Sequence, residues 1–265
     1  MAIPLSDIRY LIIDMDGVLY RGNEALPGAQ RFLPWLEARG IQYLMLTNNS
    51  VRTPSGWCQK MAALGMPVTE DRIMTAAQAT GAYLRKLAPQ GGRVYIIGGR
   101  GLEESVLDRG DGLFTLDERR PDFVVVGLDP HLTYEKLKRG CLAIRAGARF
   151  IASNPDATLP TEEGIVPGAG TIVAALEVCT SVKATVVGKP QRAAFELALD
   201  RLGADARQTA MLGDRLDTDI LGGLQAGLTT LMVLTGVSTA QDLAASPYRP
   251  DYVFPGLPEL MAAFG

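Results

Sequence analysis

Short apolar runs alternate along this chain with longer stretches of helical periodicity, from near the first residue to the last. The apolar runs predict strands at 10–14, 42–47, 93–97, 123–126, 149–152, 209–212, 229–234 and 252–254. Between them the periodic stretches predict helices at 28–39, 54–64, 76–87, 102–109, 133–146, 171–180, 190–202 and 217–226. Gly40 ends the first helix, and Pro34 must start, kink or shorten it. Thr53-Pro54 reads as an N-cap followed by a first helical residue. Strict alternation of this kind is the pattern of an α/β fold built on parallel strands.

Pro89-Gln90-Gly91-Gly92 interrupts the pattern as a hinge would. The expected organisation is a core of two sequence-distant halves, residues 1–81 and 182–265, with an α/β insert at 82–181.

An apolar fraction of 47% is enough to build a full interior, and 26 basic against 29 acidic side chains leave a net charge of −3. That balance offers nothing to a nucleic acid or an anionic membrane. No apolar run approaches the roughly 18 residues of a membrane span. Residues 1–9 lack the basic-then-apolar order of a signal peptide. Cys58, Cys141 and Cys179 have no Cys-x-x-Cys spacing, so reduced thiols and a cytoplasmic location are expected. His131 is the only histidine, which excludes any metal site with two imidazole ligands in one chain. The chemistry must then run on carboxylates, lysine, hydroxyls and a hard metal ion.

Carboxylates gather at predicted strand ends. Asp14 and Asp16 follow the first strand, separated by Met15 and followed by Gly17. Two like charges crowded there are costly unless a cation or a proton lies between them. Chemistry that uses such a pair is metal-assisted, with one carboxylate as nucleophile and the other as acid and base. Thr47-Asn48-Asn49-Ser50 leaves the second strand with several neutral donors, which suit phosphate oxygens. Lys189, in Gly188-Lys189-Pro190, stands at a helix start, where positive charge opposes the dipole unless an anion is near. Asp214 ends the strand 209–212 and is the best ligand for a magnesium ion in that segment. Asp217 reads as a cap of the following helix, and Asp219 is open between a cap and a place beside the metal.

In order, Asp14-Met15-Asp16-Gly17-Val18, Thr47-Asn48-Asn49-Ser50, Gly188-Lys189-Pro190 and Gly213-Asp214 with Asp219 resemble the motifs of haloacid dehalogenase (HAD) superfamily phosphatases. Tyr20-Arg21-Gly22 and the long insert are similar to the NagD-like, class IIA subgroup. The resemblance implies a Rossmann-like parallel-sheet core with an α/β cap, and Mg2+-dependent hydrolysis of a small phosphorylated metabolite. Nucleotide, sugar, phosphoglycolate, pyridoxal-phosphate and aryl-phosphate monoesters are the substrate types it brings, together with a homodimer. It implies Asp14 as nucleophile, Asp16 as acid and base, and a metal held by Asp14, Asp214 and the Asp16 carbonyl, with Asp219 behind them. Thr47, Asn48, Asn49 and Lys189 would offset charge on the phosphoryl group. His131, in the turn 127–134, stands where the subgroup has a substrate-specificity histidine, although Leu132 departs from its frequent aromatic. A phosphotransferase or mutase, and a non-catalytic protein that binds a phosphorylated ligand, are the alternatives on the same scaffold.

Overall fold

The computed structural model describes residues 2–107, 112–161 and 163–265. Six parallel strands form the larger sheet, in the order Tyr252–Phe254, Thr229–Val233, Thr209–Gly213, Tyr10–Ile13, Gln42–Thr47 and Ile73–Thr75. The first strand is therefore central, paired with Gln42–Thr47 on one side and Thr209–Gly213 on the other. Its side chains divide by alternation: Leu11 and Ile13 join Phe32, Leu36, Trp57 and Leu257 on one face, while Ile12 joins Met211 and Phe195 on the other. Both faces are covered, which is why such strands read as continuous apolar runs.

Five more parallel strands form a second sheet, in the order Thr185–Val186, Arg149–Ala152, Phe123–Val126, Gly92–Ile97 and Phe114–Leu116. It too has two apolar faces, Val94, Ile96, Val125 and Ile151 against Tyr95, Ile97, Val124 and Val126. Thr185–Val186 belongs to this sheet although it lies beyond position 181. The helix Ala76–Leu87, which spans the expected first boundary, lends Ala77, Ala79 and Leu84 to the second sheet's interior.

Most predicted elements recur with ends shifted by a residue or two. Thr53 and Thr133 cap the helices Pro54–Ala63 and Tyr134–Arg145 with their side-chain oxygens. The helix Ala29–Ala38 runs through Pro34 without being shortened; that residue is exposed, as is Gln30, whose carbonyl it leaves without a helical donor. The helix expected at 102–109 is seen as Arg100–Leu107; its last two expected positions lie outside the described residues. Features that were not expected include Ile73–Thr75, Phe114–Leu116, Thr185–Val186, the antiparallel hairpins of Tyr20–Arg21 with Glu24–Ala25 and of Thr158–Thr161 with Gly164–Pro167, and the helices Ala240–Ala245 and Leu257–Ala263. The three cysteines are free thiols.

Candidate active site

From the central strand Tyr10–Ile13 the sheet grows outward in sequence order on both sides, so the connections leave it in opposite directions. In parallel sheets that reversal opens a crevice at the carboxyl ends of the strands. Asp14, Thr47, Asn48, Asn49 and Asp214 all stand at this edge and line one cavity, and the loop before the helix Arg192–Leu202 brings in Lys189.

The densest part is a buried group of charges. Lys189 Nζ donates to Asp14 Oδ1 at 2.5 Å and to Asp219 Oδ1 at 2.8 Å, with its side chain only 2% exposed. Burial by itself lowers a lysine's pKa, but Asp14 and Asp219 outweigh it and hold Lys189 above its usual value, as ammonium. Asp219 Oδ2 accepts the backbone N–H groups of Asp214 and Arg215 at 3.2 and 3.1 Å. This inward turn replaces the expected regular helix start with a wide π-type turn over Leu216–Ile220. Gly213 makes it possible, since a Cβ there would lie 2.2 Å from the Asp219 Cβ. Asp217 caps nothing, contrary to expectation; it is an exposed partner of Arg215 at 3.1 Å.

Asp214 Oδ2 accepts the Val237 N–H at 2.6 Å, whereas its Oδ1 is buried with no hydrogen-bond partner. Backbone closes around it: a Cβ on Gly17 or Gly236 would come within 2.6 or 1.9 Å of Asp214 Oδ2. Burial, then the Asp219 charge, push Asp214 up to about 7. Burial likewise raises Asp14, against the pull of Lys189. Carboxylate oxygens of Asp14, Asp214 and Asp219 lie within 4.8 Å of one another. Three carboxylates against one ammonium, with one oxygen lacking a partner, fit a small hard cation with oxygen ligands.

Asp16 sits at the cavity wall, where Gly17, at φ +81°, turns the chain back. Its Oδ2 accepts the Tyr20 hydroxyl at 2.9 Å. Burial pushes Asp16 upward against Lys60 and this hydrogen bond, a setting in which a carboxyl keeps its proton longer than usual. Thr47 Oγ1 accepts the Asn49 N–H, and Asn49, whose Oδ1 accepts the Val51 N–H at 3.1 Å, borders the cavity. Asn48 differs from its expected role. Its amide donates to the Lys189 carbonyl and to Asp156 Oδ1, both at 3.0 Å, and accepts the Lys189 N–H at 2.9 Å. Both amide hydrogens are engaged, so the side chain fixes the lysine's backbone and has no donor left for a phosphate.

The second sheet closes the cavity, which measures about 380 Å³. Asn154 donates to the Asn48 carbonyl at 2.7 Å, and Asp156 faces Arg215 as well as Asn48. Leu128 and the hairpin residues Leu159 and Ile165 supply an apolar wall. His131 is not part of it. Asp129 Oδ1 takes the His131 backbone N–H at 2.8 Å, and His131 is exposed and does not line the cavity. Sequence reasoning passed over Asn154 and Asp156, although Ser153-Asn154-Pro155-Asp156 follows a predicted strand just as Thr47-Asn48-Asn49-Ser50 does, and it used Tyr20 only as part of the Tyr20-Arg21-Gly22 resemblance.

A doubly wound parallel core, acids at its switch point and a covering α/β insert define a phosphohydrolase of the HAD type. The sequence matches the haloacid dehalogenase-like hydrolase family over residues 11–110 and the HAD-hydrolase-like family over residues 186–260. An acid sugar phosphatase of Staphylococcus aureus is 39% identical over 97% of this chain and 98% of its own length. Among solved structures, a 4-nitrophenylphosphatase from Thermotoga maritima superposes with a TM-score of 0.92 at 36% identity, over 98% of this chain and 99% of its own. NagD from Escherichia coli K-12 gives 0.87 at 35% identity, over 95% and 98%. The chain belongs to the haloacid dehalogenase superfamily, as a NagD-like phosphatase, and is a hydrolase acting on phosphate monoesters.

Proposed function

We propose that the protein is a Mg2+-dependent phosphatase of small phosphate monoesters, sugar and aryl phosphates among them, acting through an aspartyl phosphate on Asp14. The observation that carries this reading is the pairing of Asp14 with the buried Lys189 ammonium at 2.5 Å, on the floor of a covered cavity that Asp16 also lines. Asp14 Oδ attacks phosphorus while the bond to the leaving oxygen breaks, and Asp16 gives that oxygen its proton. Water then attacks phosphorus, its proton passes to Asp16, and phosphate leaves with the Asp14 carboxylate restored. Lys189, the Thr47 hydroxyl and the Asn49 amide meet the charge on the phosphoryl oxygens. Asn48 and Asp219 hold Lys189 in place. Asp14, Asp214 and the Asp16 carbonyl would hold the magnesium ion. When bound, it supplies neutralising charge that lets an anionic nucleophile approach an anionic ester.

Substrate size follows from the cover. A cavity of about 380 Å³ lies at the low end of the roughly 300–1,000 Å³ of small-molecule sites. That volume suits a metabolite and not a phosphorylated protein. The names carried by the Staphylococcus aureus and Thermotoga maritima relatives, an acid sugar phosphatase and a 4-nitrophenylphosphatase, support sugar and aryl monoesters. The test is phosphate release from a panel of sugar, nucleotide and aryl phosphates, in Mg2+ and in excess EDTA. Acid quench with radiolabelled substrate should trap a hydroxylamine-labile phosphoenzyme that Asp14→Asn does not form. Undiminished turnover in EDTA, or a phosphoenzyme that persists in that variant, would overturn the reading.

A further inference from the structure

Tyr20 stands outside the roles assigned above, yet it is the residue that holds the Asp16 carboxylate. Its side chain is wholly buried, and its hydroxyl donates to Asp16 Oδ2 at 2.9 Å. The loop between them is closed by backbone, with Gly17 N–H donating to the Tyr20 carbonyl at 2.8 Å. The ring is clamped as well. Trp57 stacks near it, with centroids 6.3 Å apart and planes 26° apart, and Lys60 Nζ lies 3.9 Å from the Tyr20 ring centroid. A phenol fixed on three sides cannot follow the carboxylate if that group turns.

The carboxylate needs such a fix. The final torsion of an aspartate is broad and nearly two-fold, so its two oxygens exchange places at little cost. An acid that must deliver one proton to one leaving oxygen gains from having that symmetry broken. We infer that Tyr20 is a positioning residue for the phosphoryl transfer: by donating to Asp16 Oδ2 it presents Oδ1 as the oxygen that passes the proton. The inference rests on the proposed acid and base role of Asp16. The proton moves from Oδ1 to the leaving oxygen as the P–O bond breaks. In the second half, Oδ1 takes the proton of the attacking water. Tyr20 keeps its own proton throughout.

The experiment compares two monoesters within each protein, one with an alkyl leaving group (glycerol phosphate) and one with 4-nitrophenolate. Alkoxide must be protonated as it leaves, whereas nitrophenolate leaves without help. The parameter is kcat/KM, which covers the steps up to leaving-group departure, and the readout is the ratio between the two substrates. A smaller folded or active fraction cancels from that ratio. Tyr20→Phe should lower kcat/KM for the alkyl ester by about tenfold or more, with a clearly smaller fall for the nitrophenyl ester. Asp16→Asn, run alongside, should shift the ratio in the same direction and further. A ratio unchanged by Tyr20→Phe but shifted by Asp16→Asn would overturn the role of Tyr20 alone. A ratio unchanged in both would overturn the acid role of Asp16 on which it depends.

Discussion

Asp214→Asn should make the metal-free protein more stable while abolishing its activity. The carboxylate is buried, one oxygen has no partner, and burial with the Asp219 charge raises its pKa from 3.8 to about 7. A folded-state value above the unfolded one means that the native state binds the proton more tightly. The associated stability is present below pH 4 and is lost as the pH rises through 7. At about 1.4 kcal/mol per pH unit, the whole interval amounts to a ceiling of about 4 kcal/mol above pH 7. Asparagine removes that charge and keeps an acceptor for the Val237 N–H. It also buries an amide N–H2 whose incomplete hydrogen bonding costs about 1–3 kcal/mol. A net gain of about 1–3 kcal/mol remains, worth roughly 2–5 °C in melting temperature for a chain of this size.

The assay is thermal unfolding of both proteins in EDTA between pH 4 and pH 9. The wild type should lose stability on the variant as the pH rises, with the difference level above about pH 8. Added Mg2+ should raise the wild-type midpoint and move the variant much less, because ligand bound only to the folded state stabilises it. A variant less stable than the wild type in EDTA at pH 8, or a difference independent of pH, would refute the reasoning.

Asp14→Asn should retain the fold by circular dichroism and lose several orders of magnitude in kcat, as the loss of a nucleophile does. Lys189→Met strands Asp14 and Asp219 without their buried counter-charge, so metal-free stability should fall by about 3–5 kcal/mol, most at alkaline pH, with activity lost; denaturant unfolding measures it. Asp156→Ala frees one hydrogen of the Asn48 amide and removes the charge facing Arg215. Its kcat should fall about tenfold on large and small esters alike, because the phosphoryl site is common to both. Asp156→Asn, which keeps an acceptor for Asn48, should recover much of the loss in the same steady-state assay.

The core half of the site was legible in the sequence because its chemistry is concentrated where apolar strands stop. Asp14, Thr47 and Asp214 each stand at, or just beyond, the end of an apolar run. Lys189 was legible through its unfavourable place at a helix start. The insert half was read less well, for physical reasons. The hairpin Thr158–Thr161 with Gly164–Pro167 carries proline in both strands, which by propensity marks a loop. Ile73–Thr75 has only three residues and no alternation to display. His131 drew attention through its place in the turn 127–134, which resembles the subgroup's substrate-specificity loop, but the Asp129 side chain closes that turn and Leu128, not His131, lines the cavity. Asn48 shows a different limit. Its residue type suits a phosphate, and only the contacts reveal that the Lys189 carbonyl and Asp156 already take both amide hydrogens.

What joins the two sequence-distant halves of the core is charge. Asp14, Asp214 and Asp219 bring three carboxylates to one buried point, against the single ammonium of Lys189. A fold selected for stability alone would avoid two uncompensated charges there, since their removal from water costs several kcal/mol each. The surrounding structure instead enforces them: Gly17, Gly213 and Gly236 give up side chains so that Asp214 and Asp219 fit, and backbone N–H groups hold both in place. The excess of two negative charges equals the charge of one divalent ion. Bringing in a phosphate ester adds negative charge again, which the ion, Lys189 and the donors at Thr47 and Asn49 must meet together. The same imbalance that weakens the metal-free core therefore creates the demand for a cation, and the cation in turn makes an anionic substrate acceptable at an anionic nucleophile.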